Sequence, residues 1–526
     1  MVLTYLAWTA FAFVVYNIIS TITTRRRNAA AAKRLACGSS PMEYWPDPFA
    51  LTNLFRTMRA LSNNTVLEYM RSTFDNTSAN RTVQTYETRI LGDQVIFTSD
   101  PKNIQAMLAT QFRDFELGQV RRGSFAPLLG HGIFSADGEQ WERARAILRP
   151  QFTRDQVGDL DLEERHVLNM LQALPTQDGT WSEPIDLQPL LLRFSMDSAS
   201  EFLFGQSTNT QLSALSAEAS VKNFEDTAFV ENFEACQRRI MMAMLLNEFY
   251  GLIQTKGFVE QCRQCHRYID KFVRQALTRH ESRVQMQQPK KERYIFADKL
   301  ATETSDPIEL RNQLLSILVA GRDTTASFMS FLFIMLARHS EVYSKLRSII
   351  LEEFGTFGSP KDITFTRLKA CTYLQWCMNE TLRLFPPVPW NSRRSTRDTS
   401  LPSGGGEDGL SPIFVPKGTE TVYIVWLMQR QPEIWGSDAE DFRPERWQSH
   451  KHGAFEYLPF NGGPRICLGQ QNALTKTGYL VVRLLQRFDR LEDASATAED
   501  PVRWSVSLTG RPKNGVNVRL HAAAST

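Results

Sequence analysis

The stretch FNGGPRICLG, residues 460–469, crowds one of the chain's seven cysteines with glycines, a proline and an arginine. A cysteine that only fills a core needs none of this company. A thiolate that binds a metal does, because backbone N–H groups must point at the sulfur and glycines let the chain bend close enough. Cys467 is therefore the candidate metal ligand. Gly463 and Gly469 flank it, and Arg465, two residues before it, is placed to meet a carboxylate. The competing reading is a buried free cysteine in a turn, the commonest fate of a lone Cys.

Working outward, residues 308–337 (IELRNQLLSILVAGRDTTASFMSFLFIMLA) are apolar nearly all round, which predicts a helix through the centre of a large protein. Arg322 and Asp323 fall in its middle, and charges there argue against a membrane span. Asp323 and Thr324 need a reason to sit in that run. The plain alternative is a threonine bonded back to a carbonyl four residues earlier and a salt-bridged aspartate. A second helix, over 368–385, stops at Pro386 and Pro387. Within it Glu380 and Arg383 stand three apart, where opposite charges can pair, and the apolar flanks of YLQWCMNETLRLF imply burial. Trp141 and Arg145 lie one helical turn apart in WERAR. Strands are expected near 89–98 and 421–426. The run Cys262-Arg263-Gln264-Cys265-His266 matches the short pattern for covalent c-type haem attachment, but QCRQCHRYIDKFVRQALTRH reads as a polar surface helix and the match as chance.

Four of these stretches, in order, resemble signatures of the cytochrome P450 superfamily. FNGGPRICLG is similar to its haem-binding loop, with Phe460, Gly463, Arg465, Cys467 and Gly469 at the family positions. AGRDTT (320–325) is similar to the oxygen-activating stretch of the long central helix, ETLR (380–383) with PERW (444–447) to the paired motifs that lock the core, and WERAR (141–145) to the helix whose Trp and Arg meet a haem propionate. The resemblance implies a mainly α fold, a helix-rich single domain with small β-sheets, holding haem b. It makes Cys467 the iron ligand, whose thiolate favours O–O cleavage. It assigns Trp141, Arg145, Arg393 and Arg465 to the cofactor, Asp323 and Thr324 to proton delivery, and Glu380, Arg383 and Arg446 to a buried structural network. Lys476 stands where many relatives carry an acidic residue.

Residues 131–152, 318–339 and 401–418, the last with a Gly-rich insertion at Gly404 to Gly406, further resemble the fungal alkane and fatty-acid hydroxylases. That branch implies terminal or near-terminal hydroxylation of a long alkane or fatty acid, with O2 and a small hydrophobic substrate. A tailoring oxidase of fungal secondary metabolism, acting on a polyketide or terpenoid, is the alternative. A haem-thiolate isomerase or dehydratase, or a non-catalytic haem-binding protein, is disfavoured by the Asp323–Thr324 pair. No flavin or nicotinamide fingerprint accompanies these motifs, so an NADPH-dependent reductase is the expected electron donor.

The totals agree with a globular body: 526 residues, 42% hydrophobic, net charge +3. This near balance implies no nucleic-acid partner, and scattered cysteines imply a reducing compartment. Residues 2–22 carry no charge and are long enough to cross roughly 30 Å of hydrocarbon. Arg25, Arg26 and Arg27 follow, so the positive-inside bias puts the body in the cytosol. The expected organisation is a membrane anchor (1–24), a basic and proline-containing connector (25–50) and a monooxygenase domain (51–526). Its expected place is the endoplasmic reticulum membrane, as a single-pass protein contacting lipid through that helix.

Overall fold

A computed structural model describes residues 2–44, 47, 50–77, 83–153, 158, 160–174, 177–215, 224–286, 294–495 and 501–524. Residues 45, 46, 48 and 49 of the proline-containing connector lie outside the described residues. The chain packs as two compact units, one built from 1–56, 68–116 and 391–424, the other from 57–67, 117–390 and 425–526.

The smaller unit begins with helix α1 (Val2–Arg34), which runs without interruption through the expected end of the anchor. Its sheet uses β1 (Thr85–Ile90), β2 (Asp93–Thr98), β3 (Phe115–Glu116), β4 (Asn391–Ser395) and β7 (Glu420–Tyr423), in the order β1-β2-β7-β4-β3. Only the β2–β7 pair is parallel. The stretch 89–98, where strand was expected, holds the end of β1, a turn and the whole of β2. Leu91 and Gly92 both take positive φ, 52° and 90°, which suits the tight turn between twisted strands. The strand expected over 421–426 ends at Tyr423, and Val425–Met428 is helical.

The Gly-rich insertion forms a separate hairpin of β5 (Thr399–Gly405) and β6 (Ser411–Val415). A Cβ at Gly405 would lie 2.6 Å from the Pro412 carbonyl oxygen and 3.0 Å from that of Gly38. Glycine is required there because the connector chain docks against the hairpin, with Gly38 N donating to Pro412 O and Gly406 N to Ser39 O.

The larger unit holds the helices that matter for function. They are α2 (Gly138–Leu148), α3 (Asp161–Leu171), α4 (Leu187–Phe204), α5 (Phe224–Leu245), α6 (Lys256–Met286), α7 (Pro307–Arg338), α8 (Thr372–Leu384) and α9 (Gln470–Arg487). α7 is the axis. Asp306 caps it by accepting from Ile308 N at 2.8 Å, Pro307 occupies its first position, and α4, α6, α8 and α9 pack around it. It is long and apolar enough to cross a membrane, yet 72% of its most apolar stretch is buried inside the protein.

The helix expected over 368–385 is broken. Phe365–Ala370 and Thr372–Leu384 are separate, because Cys371 turns out of the helical range at ψ 88°. The Gln375 side chain donates to the Leu368 carbonyl left over at the break.

Candidate active site

The loop 460–469 closes on itself through backbone bonds: Cys467 N donates to Phe460 O at 3.0 Å and Ile466 N to Gly463 O at 3.1 Å. Asn461 and Gly463 take positive φ, 62° and 64°, which bends the chain back under the thiol. α9 starts just past Gly469, whose backbone N–H bonds the sulfur. Protein envelops the Cys467 thiol, and that burial pushes its pKa up, against a backbone hydrogen bond from Gly469 and the nearby charge of Arg145. Yet the side chain has exposed surface. A thiol there is neutral on its own and becomes the anion only when a metal takes the proton's place.

Guanidinium groups gather beside this loop. Arg465 Nη2 lies 2.7 Å from Asp137 Oδ1, and its two terminal nitrogens donate to Ala136 O at 3.2 Å. Arg145 Nη1 donates to Ile466 O at 3.1 Å. The buried Trp141 ring lies under both cations, 4.4 Å from Arg465 and 5.8 Å from Arg145. Asp137 was not singled out from the sequence. An Asp-Gly before a helix reads as an N-cap, but here the carboxylate makes no cap bond to α2. It accepts instead from Leu117 N, Gly118 N, Arg122 and Arg465.

On α7, Ile317, Ala320, Gly321 and Thr324 are half-exposed in a helix otherwise mostly buried. Their spacing of three and four puts them on one stripe, and a Cβ at Gly321 would meet nothing within 4 Å. The central helix therefore turns a short, mostly apolar face toward open space. The Thr324 hydroxyl donates to Ala320 O at 2.6 Å, which leaves its own lone pairs free to accept. Asp323 Oδ1 lies 3.3 Å from Arg322 Nη1. Arg322 in turn bonds Glu234 on α5 at 2.5 Å, a link with no sequence signal because the two are 88 residues apart.

The core motifs come together under the loop. Glu380 accepts from Arg383 in two bonds, 2.9 and 2.8 Å, and from Arg446 Nε at 3.2 Å and Trp447 Nε1 at 3.0 Å. Arg383 also donates to the carbonyls of Gln429, Ala439 and Asp441. Gln429 joins this network to the loop: its amide nitrogen donates to Leu382 O and Arg383 O, and its oxygen accepts from Leu458 N at 2.7 Å.

Lys476 has a local explanation. Its ammonium, buried in α9, bonds Ser198 Oγ at 2.5 Å and Glu163 Oε1 at 3.2 Å, so the acid it faces lies on α3. Arg393 lies in the smaller unit on β4, 2% exposed, over the Tyr423 ring at 5.6 Å, with its Nε making no hydrogen bond within the protein.

The helix around QCRQCH is not the uniform polar surface that the sequence suggested. Cys262 and Cys265 point inward to Cys236, with 3.6 Å between the Cys236 and Cys262 sulfurs, and the His266 ring bonds Leu128 O. Among the described residues no group of three or more His, Cys, Asp or Glu is arranged to hold a metal ion. Ligation by one thiolate needs none.

A family model for cytochrome P450 matches residues 62–518. The chain is 45% identical over 519 residues to cytochrome P450 monooxygenase g430 of Fusarium sp, covering 98% of this chain and 90% of that one. It is 41% identical over 487 residues to cytochrome P450 52A13 of Debaryomyces hansenii, 92% of each chain. It is 42% identical over 468 residues to cytochrome P450 52A4 of Candida maltosa, 87% of this chain and 85% of that one.

Proposed function

The chain belongs to the cytochrome P450 family, and from that premise we propose that it hydroxylates a long alkane or fatty acid at or near its terminus. As a member it binds haem b and is a monooxygenase, an oxidoreductase that incorporates one oxygen atom of O2 into its substrate. The observation that carries the substrate class is the α7 stripe: Ile317, Ala320 and Gly321 are half-buried on one face of a buried helix and apolar, and Thr324 is the one polar side chain of these four. Such a wall offers methylene contacts and few hydrogen bonds.

The residues present fit the cofactor. Cys467 supplies one thiol with exposed surface, and its environment favours the neutral form unless a metal is bound. Arg465 and Arg145, packed over Trp141, would hold a propionate. Phe460 closes the loop through its carbonyl, and the positive φ of Gly463 bends the chain back. When bound, the haem supplies the dioxygen chemistry. The chain's own part is proton delivery: Thr324, its hydroxyl hydrogen donated to Ala320 O, would hold a water by accepting from it, and that water would give up a proton and regain one from the carboxyl of Asp323, which takes it from solvent. The network of Glu380, Arg383 and Arg446 holds the loop in place from beneath.

Membrane attachment through α1 is supported by its exposed Tyr5, Trp8, Phe11, Tyr16 and Ile19, followed by Arg25 to Arg27. Placement in the endoplasmic reticulum with a cytosolic body, and an NADPH-dependent reductase as donor, follow from the same reading. The test is a product screen with purified protein and reductase, comparing fatty acids, alkanes and cyclic terpenoids by mass. Hydroxylated chains are expected. Turnover confined to a polycyclic compound would move the enzyme to the tailoring class.

A further inference from the structure

Arg322 stands between the glycine and the acid of AGRDTT, in the middle of α7, and is 3% exposed. Its Nη2 donates to Glu234 Oε1 on α5 at 2.5 Å, while its Nη1 faces Asp323 Oδ1 at 3.3 Å. Ser195 of α4 donates to the Arg322 carbonyl at 2.7 Å, which fixes this turn of the helix against a second neighbour. Glu234 is the outer carboxylate. Its side chain is 35% exposed and its other oxygen lies 4.0 Å from Arg238 on the surface, whereas Asp323 is 15% exposed. One buried cation thus serves two carboxylates, one toward solvent and one inside.

A guanidinium does not release its proton in a protein, so Arg322 cannot itself hand one on. It can decide which carboxylate stays charged and where that carboxylate points. The two contacts are unequal, and the closer one is to Glu234. We propose that Arg322 and Glu234 are positioning residues for Asp323: Glu234 draws the guanidinium outward, so that Asp323 is paired loosely and stays free to take up a proton and serve Thr324. This rests on the reading of Asp323 and Thr324 as a proton relay. If Glu234 loses its charge, Arg322 remains buried with Asp323 as its only anion. The pair then closes, the Asp323 carboxylate is tied to the guanidinium, and proton delivery slows. The Glu234–Arg322 link between α5 and α7 thereby sets how efficiently electrons reach product.

The experiment follows the partition of electrons between hydroxylated product and released hydrogen peroxide in the haem-loaded full chain with reductase. The substrate is dodecanoic acid or the fastest compound of the panel above. Glu234→Gln should raise peroxide per NADPH several-fold with substrate affinity and haem content unchanged, and Glu234→Asp should restore most of the coupling. Amide exchange across residues 224–245 should also quicken in Glu234→Gln, a readout independent of turnover. Asp323→Asn separates the two readings. If it uncouples while Glu234→Gln changes only thermal stability, the positioning role is overturned and the relay stands. If neither uncouples, the relay falls and the inference with it.

Discussion

Arg383 grips Glu380 with two parallel hydrogen bonds, 2.9 and 2.8 Å, and neither side chain has any exposed surface. A buried pair of this kind is weak evidence of net stabilisation, because both charges have left water. Removing one partner is another matter. Arg383→Ala leaves a buried carboxylate with Arg446, Trp447 and the Arg443 backbone N–H, and frees three backbone carbonyls. It should cost roughly 3–5 kcal/mol, the usual penalty for an uncompensated buried charge. The check is urea unfolding together with haem content per chain.

Lys476 tests the same physics at a position that the family pattern left open. Lys476→Met should destabilise, because Glu163 is then buried without its cation. Adding Glu163→Gln should recover much of the loss. The coupling between the two sites, read from a double-mutant cycle, should exceed about 1 kcal/mol. Additive effects would mean that the ammonium contributes through Ser198 and packing alone.

A pH effect follows from Glu309 at the start of α7. It accepts from Arg143 in two bonds, 2.8 and 3.0 Å, and from the Thr304 hydroxyl at 2.6 Å, and these hold its carboxyl below the ordinary value. A carboxyl whose folded value is depressed adds stability that is complete above its unfolded value, about 4.3. That stability is lost as pH falls through the lower folded value. The melting temperature of Glu309→Gln should therefore lie below wild type by a constant gap near neutrality, and the gap should close on acidification. A gap that widens in acid has the wrong sign for this contact.

Chain length offers a quantitative handle on the proposed substrate class. Each methylene moved from water to an apolar wall is worth about 0.8 kcal/mol, roughly a fourfold change in affinity. Dissociation constants along a series of saturated fatty acids should fall by about that factor per methylene until the site is filled. Affinity flat with length, beside tight binding of a polycyclic compound, would contradict the alkane or fatty-acid reading.

How much of this was legible in the sequence depends on the range of each interaction. The central helix was predicted within one residue at either end, 308–337 against Pro307–Arg338, because a long apolar run with a proline start is a local signal. The spacing of Glu380 and Arg383 is local too, and the pair forms across one turn of α8. Asp137, Glu234 and Glu163 were invisible as partners. Each meets its cation, on Arg465, Arg322 and Lys476, across distances in the chain that no periodicity encodes. The break at Cys371 and the turn at Leu91 were missed for the opposite reason: one residue's dihedral angles decided each, and neither residue type favours the conformation found. The outward polar face of the QCRQCH helix hid the inward one, where the thiols pack.

The central claim is that Cys467 is the iron's thiolate ligand, and one spectrum tests it most directly. Wild type and Cys467→Ser are purified with haem, reduced, and exposed to carbon monoxide. Wild type should show the long-wavelength Soret band of a thiolate-ligated complex, and Cys467→Ser should lack it even where haem is retained. A Cys467→Ser protein that kept this band would contradict the assignment and send the search to another of the seven cysteines.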